Sequence, residues 1–366
     1  MKICFINMDM SIIGGAQSVT NKLASSLSPF YDVYIMSIQH QTDNTPYLWP
    51  KGTSFTYLLP FGRSQRLRKC FYSVYKQIIE YINEHEIDIV FMMGEYAASI
   101  SILTKFKTKA TYIYCDHSSF TKQSNKKELL IRFYSAVLAD RIVVLTKYSM
   151  YIYINLLHIK KSKITYIYNW IDNNLIDNSR QYHRQSKVII TVGRLAPEKG
   201  FDLLVKVAQK TLPFLPDWEW HIYGDGPLHD DICKNIKESG LDKQLLLKGC
   251  SNDIETIYGS ASLIVLTSYR EGLPLVLLEA KAYKLPSVAF DVITGPSEII
   301  ANNVNGYLIT PFDIDNMAQK IKYLATHEDV RVNMSSHSYD GIDKFSQSMI
   351  LDRWKMLIEQ LSEKNI

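Results

Sequence analysis

Cysteine is scarce in this chain: Cys4, Cys70, Cys115, Cys233 and Cys250 are the only five in 366 residues. They are odd in number and far apart, and no two form a Cys-x-x-Cys pair. That excludes a disulfide framework and a zinc knuckle and leaves free thiols in a reducing compartment. No apolar stretch approaches the ~18 residues of a membrane span. The opening Met1-Lys2-Ile3-Cys4-Phe5-Ile6-Asn7 lacks the longer apolar region and small-residue cleavage site of a signal peptide, and reads instead as a buried strand. There is no internal repeat and no low-complexity segment. No loop carries Gly-x-Gly-x-x-Gly, since Gly14-Gly15 lacks that spacing, which argues against a nicotinamide-dependent oxidoreductase.

What is present is ordinary globular composition, 46% hydrophobic and 21% charged. The length suits two domains rather than one core. Charge is uneven. Residues 1–180 hold 21 Lys+Arg against 13 Asp+Glu, a balance of +8; residues 181–366 hold 20 against 24, a balance of −4. The basic half fits either an anionic partner, such as a phospholipid surface or a lipid diphosphate, or a solvated basic surface. Nothing points to nucleic acid.

Short apolar runs alternate with helical patterns. Strands are expected at Lys2–Asn7, Asp32–Ile38, Ile87–Met92, Lys109–Tyr114 and Arg141–Leu145, then at Val188–Val192, Trp218–Tyr223, Leu245–Lys248, Leu263–Leu266 and Ser287–Ala289. Amphipathic stretches such as Ala16–Leu27, Leu67–Asn83, Phe201–Thr211 and Leu275–Tyr283 lie between them. This alternation, run twice, predicts an α/β protein of two doubly wound Rossmann-like domains facing a cleft. The polar segment Asn173–Ser186 marks the boundary, giving domains 1–178 and 179–345. A closing segment 346–366, helical over Gln347–Leu361, is free to pack back on the first domain.

In such sheets ligands bind beyond the carboxyl ends of the strands, and three motifs sit there. Gly193-Arg194-Leu195-Ala196-Pro197-Glu198-Lys199-Gly200 follows a strand and opens a helix. Arg194 offers a planar fork and Lys199 a compact charge to one anion, and the helix N-terminus adds N–H groups. A diphosphate is the natural ligand. Tyr223-Gly224-Asp225-Gly226-Pro227 is a turn whose glycines allow a ligand to approach the backbone. In Glu271-Gly272-Leu273-Pro274-Leu275-Val276-Leu277-Leu278-Glu279, the first-turn N–H groups can reach a ligand. Glu279, among Leu277, Leu278 and Ala280, must be hydrogen-bonded if buried, and sugar or ribose hydroxyls can supply the donors.

The order and spacing of these three motifs resemble the family-4 retaining glycosyltransferases of the GT-B fold. The resemblance covers most of the chain and is strongest over Val188–Leu308. Ile13-Gly14-Gly15-Ala16-Gln17 is similar to the family's glycine-rich loop, near donor phosphate and acceptor. Asp116-His117 matches its active-site histidine, which contacts the transferred sugar. Ala139–Thr146 and Ile167–Asp172 also fit, except that Trp170 stands where a glycine is usual. Thr294-Gly295-Pro296-Ser297-Glu298-Ile299-Ile300 looks like the branch that builds O-antigen, capsule and protein-linked glycans, several members of which use UDP-linked hexoses or N-acetylhexosamines.

The resemblance implies a nucleotide diphosphate sugar as co-substrate, UDP ahead of GDP, and a lipid-linked or oligosaccharide acceptor. Arg194 and Lys199 would hold the diphosphate, helped by N–H groups at Gly15 and near the segment Gly272, Leu273 and Pro274. Glu271 would bind hydroxyls of the transferred sugar, Glu279 the ribose, and His117 would orient the sugar; Gly193, Gly224 and Gly226 would line the donor site. The leaving phosphate takes the acceptor's proton, so no carboxylate nucleophile and no cofactor is implied. Metal is not required: Asp313-Ile314-Asp315, the Asp-x-Asp string after the donor motifs, fits a helix cap. The expected place is the cytoplasm, at the cytoplasmic face of the inner membrane. Two basic groups, Arg63, Arg66, Arg68 and Lys69, then Lys122, Lys126, Lys127 and Arg132, leave peripheral membrane contact open. The rival functions are a nucleotide-sugar epimerase or hydrolase and a non-catalytic scaffold on the same fold.

Overall fold

The computed structural model describes residues 1–42, 45–61, 67–118, 126–177, 182–251 and 253–363. The chain divides into two compact units, residues 1–168 with 350–366, and residues 169–349.

The first unit is built on a parallel sheet: β1 (Lys2–Asp9), β2 (Asp32–Gln39), β3 (Ser54–Tyr57), β4 (Ile89–Met93), β5 (Thr111–Asp116), β6 (Arg141–Val144) and β7 (Ile164–Tyr166). Among the described residues the strand order is β3-β2-β1-β4-β5-β6-β7. Phe5 and Phe91 stack at 4.8 Å on neighbouring strands. On the sheet sit Val74, Ile78 and Ile82 of the helix Leu67–Glu84, one buried stripe at spacings of four.

The second unit repeats the plan with β8 (Val188–Val192), β9 (Glu219–Tyr223), β10 (Leu245–Gly249), β11 (Leu263–Leu266), β12 (Ser287–Phe290) and β13 (Gly306–Ile309). The order is β10-β9-β8-β11-β12-β13, all parallel. Its core gathers Trp220, Leu204, Phe290 and Ile321. β8 and β11 match their expected bounds. In each sheet the order reverses beside the first strand, between β1 and β4 and between β8 and β11, and ligand crevices form at such points.

The first unit ends at Tyr168, earlier than residue 178. The cause is local bonding: Asn169 donates to the Leu273 carbonyl at 3.2 Å, and the Ile171 N–H donates to Phe345 O at 2.9 Å. The chain rejoins the first unit through the helix Gln347–Ser362, where Trp354 meets Phe91 edge-on at 5.8 Å and Arg353 lies 4.7 Å over Tyr166. Asp313 caps the helix Ile314–Thr326, accepting from Asn316 N.

Candidate active site

In the second unit the two loops at the reversal point supply the charged pair. After β8 the chain turns through Gly193 and Arg194, makes one 3-10 turn at Pro197–Lys199, and enters the helix Phe201–Gln209 through Gly200. Gly200 is left-handed (φ +64°), and a Cβ there would stand 2.2 Å from Thr267 O, so the turn closes against the loop after β11 only with glycine. That loop is bound to it. Thr267 Oγ1 donates to Gly200 O at 3.0 Å, the Tyr269 N–H to Glu198 O at 2.9 Å, and Tyr269 Oη to Asp202 at 2.7 Å.

Lys199 Nζ lies 2.7 Å from Glu271 Oε1, with Lys199 one-quarter exposed and Glu271 6% exposed. Ser268 Oγ also donates to that Glu271 oxygen, at 2.6 Å, and Thr294 Oγ1 donates to its backbone carbonyl. The carboxylate is thus nearly buried but compensated, with its cation toward solvent. Arg194 is exposed and forms no ion pair among the described residues. Gly272 leads to Leu273 and Pro274, both buried, and Pro274 is the N-cap of the helix Leu275–Ala282.

Glu279 is half-buried on that helix. Its Oε2 accepts from Tyr258 Oη, at 2.5 Å. Burial and then the Glu279 charge raise the Tyr258 phenol well above its usual value, so it stays a donor. Gly224 and Gly226 have a role not foreseen. Cβ atoms there would stand 1.9 Å from Gly193 O and 2.5 Å from Leu195 O. The turn is held to the Arg194 loop by Gly193 N donating to Tyr223 O at 3.0 Å and Leu195 N to Asp225 O at 2.9 Å. These glycines admit a neighbouring loop, which needs no ligand to explain them.

His117 and Gly15 belong to the first unit. Gly14 is the N-cap of the helix Gly15–Leu27, with its N–H donating to Tyr47 Oη at 3.3 Å, and a Cβ on Gly15 would meet nothing within 4 Å. His117 follows β5. Neither ring nitrogen has a hydrogen-bond partner among the described residues, though both are shielded from solvent. Burial pushes its pKa down to about 4, against the pull of Asp116, so the ring is neutral at pH 7.

Beside it lies a buried ionic network that the sequence reading missed. Arg132 Nε stands 3.5 Å from Asp116 Oδ2, which accepts from Tyr153 Oη at 2.6 Å. Ser118 Oγ donates to Asp116 at 2.8 Å and to Glu95 at 3.0 Å, and accepts from Arg132. Arg132, expected in a basic group open to membrane contact, is 1% exposed, since two carboxylates hold it inside. Asp116 directly after five buried strand residues was the available signal. Of the other residues in the two basic groups, Arg63, Arg66 and Lys122 lie outside the described residues, as do the side chains of Arg68 and Lys69, while Lys126 and Lys127 are exposed.

Trp170 is buried at 4%, donates to Asp172 at 3.0 Å, and is not among the residues with positive φ, so this position needs no glycine. No helix among the described residues is long and apolar enough to cross a membrane. Among them no group of three or more His, Cys, Asp or Glu side chains is placed to hold a metal ion.

A Haemophilus influenzae protein described as an uncharacterized glycosyltransferase is 28% identical, with 98% of this chain and 99% of that one covered. The amylovoran biosynthesis glycosyltransferase AmsD of Erwinia amylovora is 28% identical at the same coverage. The crystal structure of a Staphylococcus aureus TarM variant, in complex with fondaparinux, α-GlcNAc-glycerol and UDP, superposes with a TM-score of 0.83 at 18% identity, over 97% of this chain and 99% of that one. The profile of "Glycosyltransferase Family 4" matches residues 13–175 and that of "Glycosyl transferases group 1" residues 173–340. The chain is a glycosyltransferase and belongs to the family-4 enzymes of the GT-B fold.

Proposed function

We propose that the protein is a retaining enzyme that moves a hexose or N-acetylhexosamine from a UDP-sugar to a lipid-linked or glycan acceptor during surface polysaccharide or glycan synthesis. The observation that carries this reading is the pairing of Lys199 with Glu271 across the two loops at the reversal point of the second sheet. A cation and a carboxylate held side by side suit a ligand that joins an anionic diphosphate to a hydroxylated ring. The UDP in the TarM complex and the polysaccharide pathway in the name of AmsD favour the same assignment.

Breaking the bond between sugar and diphosphate develops negative charge on the leaving phosphate. Arg194 and Lys199 stabilise that charge, and the first-turn N–H groups after Pro274 assist. Glu271 accepts from hydroxyls of the transferred sugar. Glu279, already held by Tyr258, accepts from the ribose. Neutral His117 is a hydrogen-bond partner for the sugar rather than a charge. The acceptor oxygen attacks on the face the diphosphate leaves, and its proton passes to the departing phosphate oxygen. No metal is assigned a role. An acceptor on a lipid carrier would bring the enzyme to a membrane face.

The test is transfer from UDP-glucose, UDP-galactose and UDP-N-acetylglucosamine to a panel of lipid-linked and free glycan acceptors, in the presence of EDTA. An α-linked product is expected by NMR. Glu271→Ala should abolish transfer while UDP still binds by calorimetry. Donor that is only hydrolysed or epimerised, with no product on any acceptor, would reject the reading.

A further inference from the structure

A helix on a globular surface normally turns its apolar stripe inward and its polar face to water. The helix Lys126–Leu138 is apolar on two faces: Leu129, Tyr134 and Leu138 pack on the core, and a second stripe faces water. Its buried residues are Arg132, Ser135 and Ala136. Its exposed face carries Leu130, 62% exposed, with Phe133 at 43% and Val137 at 46%, a stripe at spacings of three and four. Arg132 takes the most buried position on the helix to reach Asp116 and Glu95, and Leu130, Phe133 and Val137 are left outside.

Cations stand at both ends of the stripe. Lys126 and Lys127 are exposed in the first turn, beside Glu128. At the other end Lys163 Nζ donates to Val137 O, and Lys105 Nζ donates to Leu138 O at 3.0 Å while pairing with Asp140. Burial, then the Lys105 cation, pushes the Lys163 amine below its usual value; Asp140 opposes this, and Arg141 and Lys160 add to the repulsion. Next to Lys105, Phe106 is 67% exposed and Lys107 is exposed. An apolar stripe in water and crowded like charges each cost free energy in the isolated protein, and one partner relieves both.

We propose that this face, Leu130, Phe133 and Val137 with the flanking lysines, docks on an anionic phospholipid bilayer. The apolar side chains enter the boundary between headgroups and acyl chains, and the lysine stems lie along it with their ammonium groups on the phosphates. A lipid-carried acceptor gives such contact its use, and to that extent it rests on the transferase reading; the contact itself requires no turnover.

The full chain, without donor or acceptor, is sedimented with vesicles of phosphatidylcholine alone and of phosphatidylcholine mixed with phosphatidylglycerol. Binding is expected to the mixed vesicles and not to the neutral ones, and to weaken as salt rises. Lys126→Glu with Lys127→Glu should reduce affinity by at least about 25-fold, at about fivefold per lysine removed. Leu130→Ser, Phe133→Ser and Val137→Ser together should reduce it at least about tenfold. The triple variant's thermal midpoint should stay at the wild-type value, because these side chains are exposed. No binding to the mixed vesicles, equal binding to both kinds, or a wild-type dimer that the serine variant turns into monomer without any vesicle binding would overturn the proposal. Transfer to a soluble acceptor is assayed in parallel, so that a failure here stands apart from a failure of the transferase reading.

Discussion

The two units share a strand order and use it differently. In the second, the loops after β8 and β11 bring a lysine and a glutamate together with the cation toward solvent. In the first, the loop after β4 delivers Glu95 and the end of β5 delivers Asp116, and both point inward to Arg132. Charge in one unit is kept where a ligand can meet it. In the other it is consumed by internal partners, leaving a neutral imidazole and a glycine turn. The topology chooses which loops converge; it does not choose what they carry.

The contrast predicts opposite signatures for removing a cation. The largest effect should come from Arg132→Met. It leaves Asp116 and Glu95 facing each other in the interior, at a cost of about 3–5 kcal/mol in urea unfolding. Burial, and then Asp116, already raises Glu95 above the usual carboxylate value. Loss of the guanidinium raises it further, so the deficit should shrink as pH falls and Glu95 takes up a proton. A cost below about 1 kcal/mol, independent of pH, would break the comparison on this side.

In the second unit activity should fall more than stability. Arg194→Met is expected to lower kcat by about 10²–10³-fold with an unchanged thermal midpoint, since the side chain is exposed. Lys199→Met should lower kcat to a similar degree and also cost about 1–2 kcal/mol, because among the described residues Glu271 then keeps only Ser268 as side-chain partner. Adding Glu271→Gln to Lys199→Met should restore most of the stability and none of the turnover. Variants that lose stability and activity in equal proportion would place these residues in the framework instead.

Most of the fold could be read from apolar runs bounded by turns. The strands missed, β3, β7 and β13, are all edge strands, where one side is unpaired and a full apolar run is not needed. β3 shows why: its Ser-Phe-Thr-Tyr is half-buried throughout, and no residue in it declares an inside. β5 was placed two residues early because a terminal Asp116 reads as loop, and only the distant Arg132 makes its burial tolerable. The same blindness to long-range partners put Arg132 in a surface basic group and left Tyr258 out of the site, though it lies 21 residues before Glu279 in sequence and 2.5 Å from it in space. Local motifs carried Lys199 and Glu271 because their chemistry is written in the loops themselves. Networks assembled from separate elements leave no such trace.

The smallest effect concerns His117 and sharpens what neutrality means there. Its pKa, about 4 in the folded protein, lies below the ordinary ~6.5 of the unfolded chain. Between these values the unfolded state binds a proton that the folded state does not, so stability falls as pH drops through that window. His117→Asn keeps a donor and an acceptor but cannot titrate. Thermal midpoints of the two proteins should converge near pH 4.5 if the asparagine starts lower at pH 7, and the difference between the curves isolates this one group from every other carboxylate and histidine. Parallel curves would mean that the ring is hydrated and titrates normally. The same variant then separates charge from hydrogen bonding in transfer. An imidazole that acts while neutral gives no inflection in kcat near pH 6.5, and asparagine, able to bond a sugar hydroxyl, should retain more activity than His117→Phe.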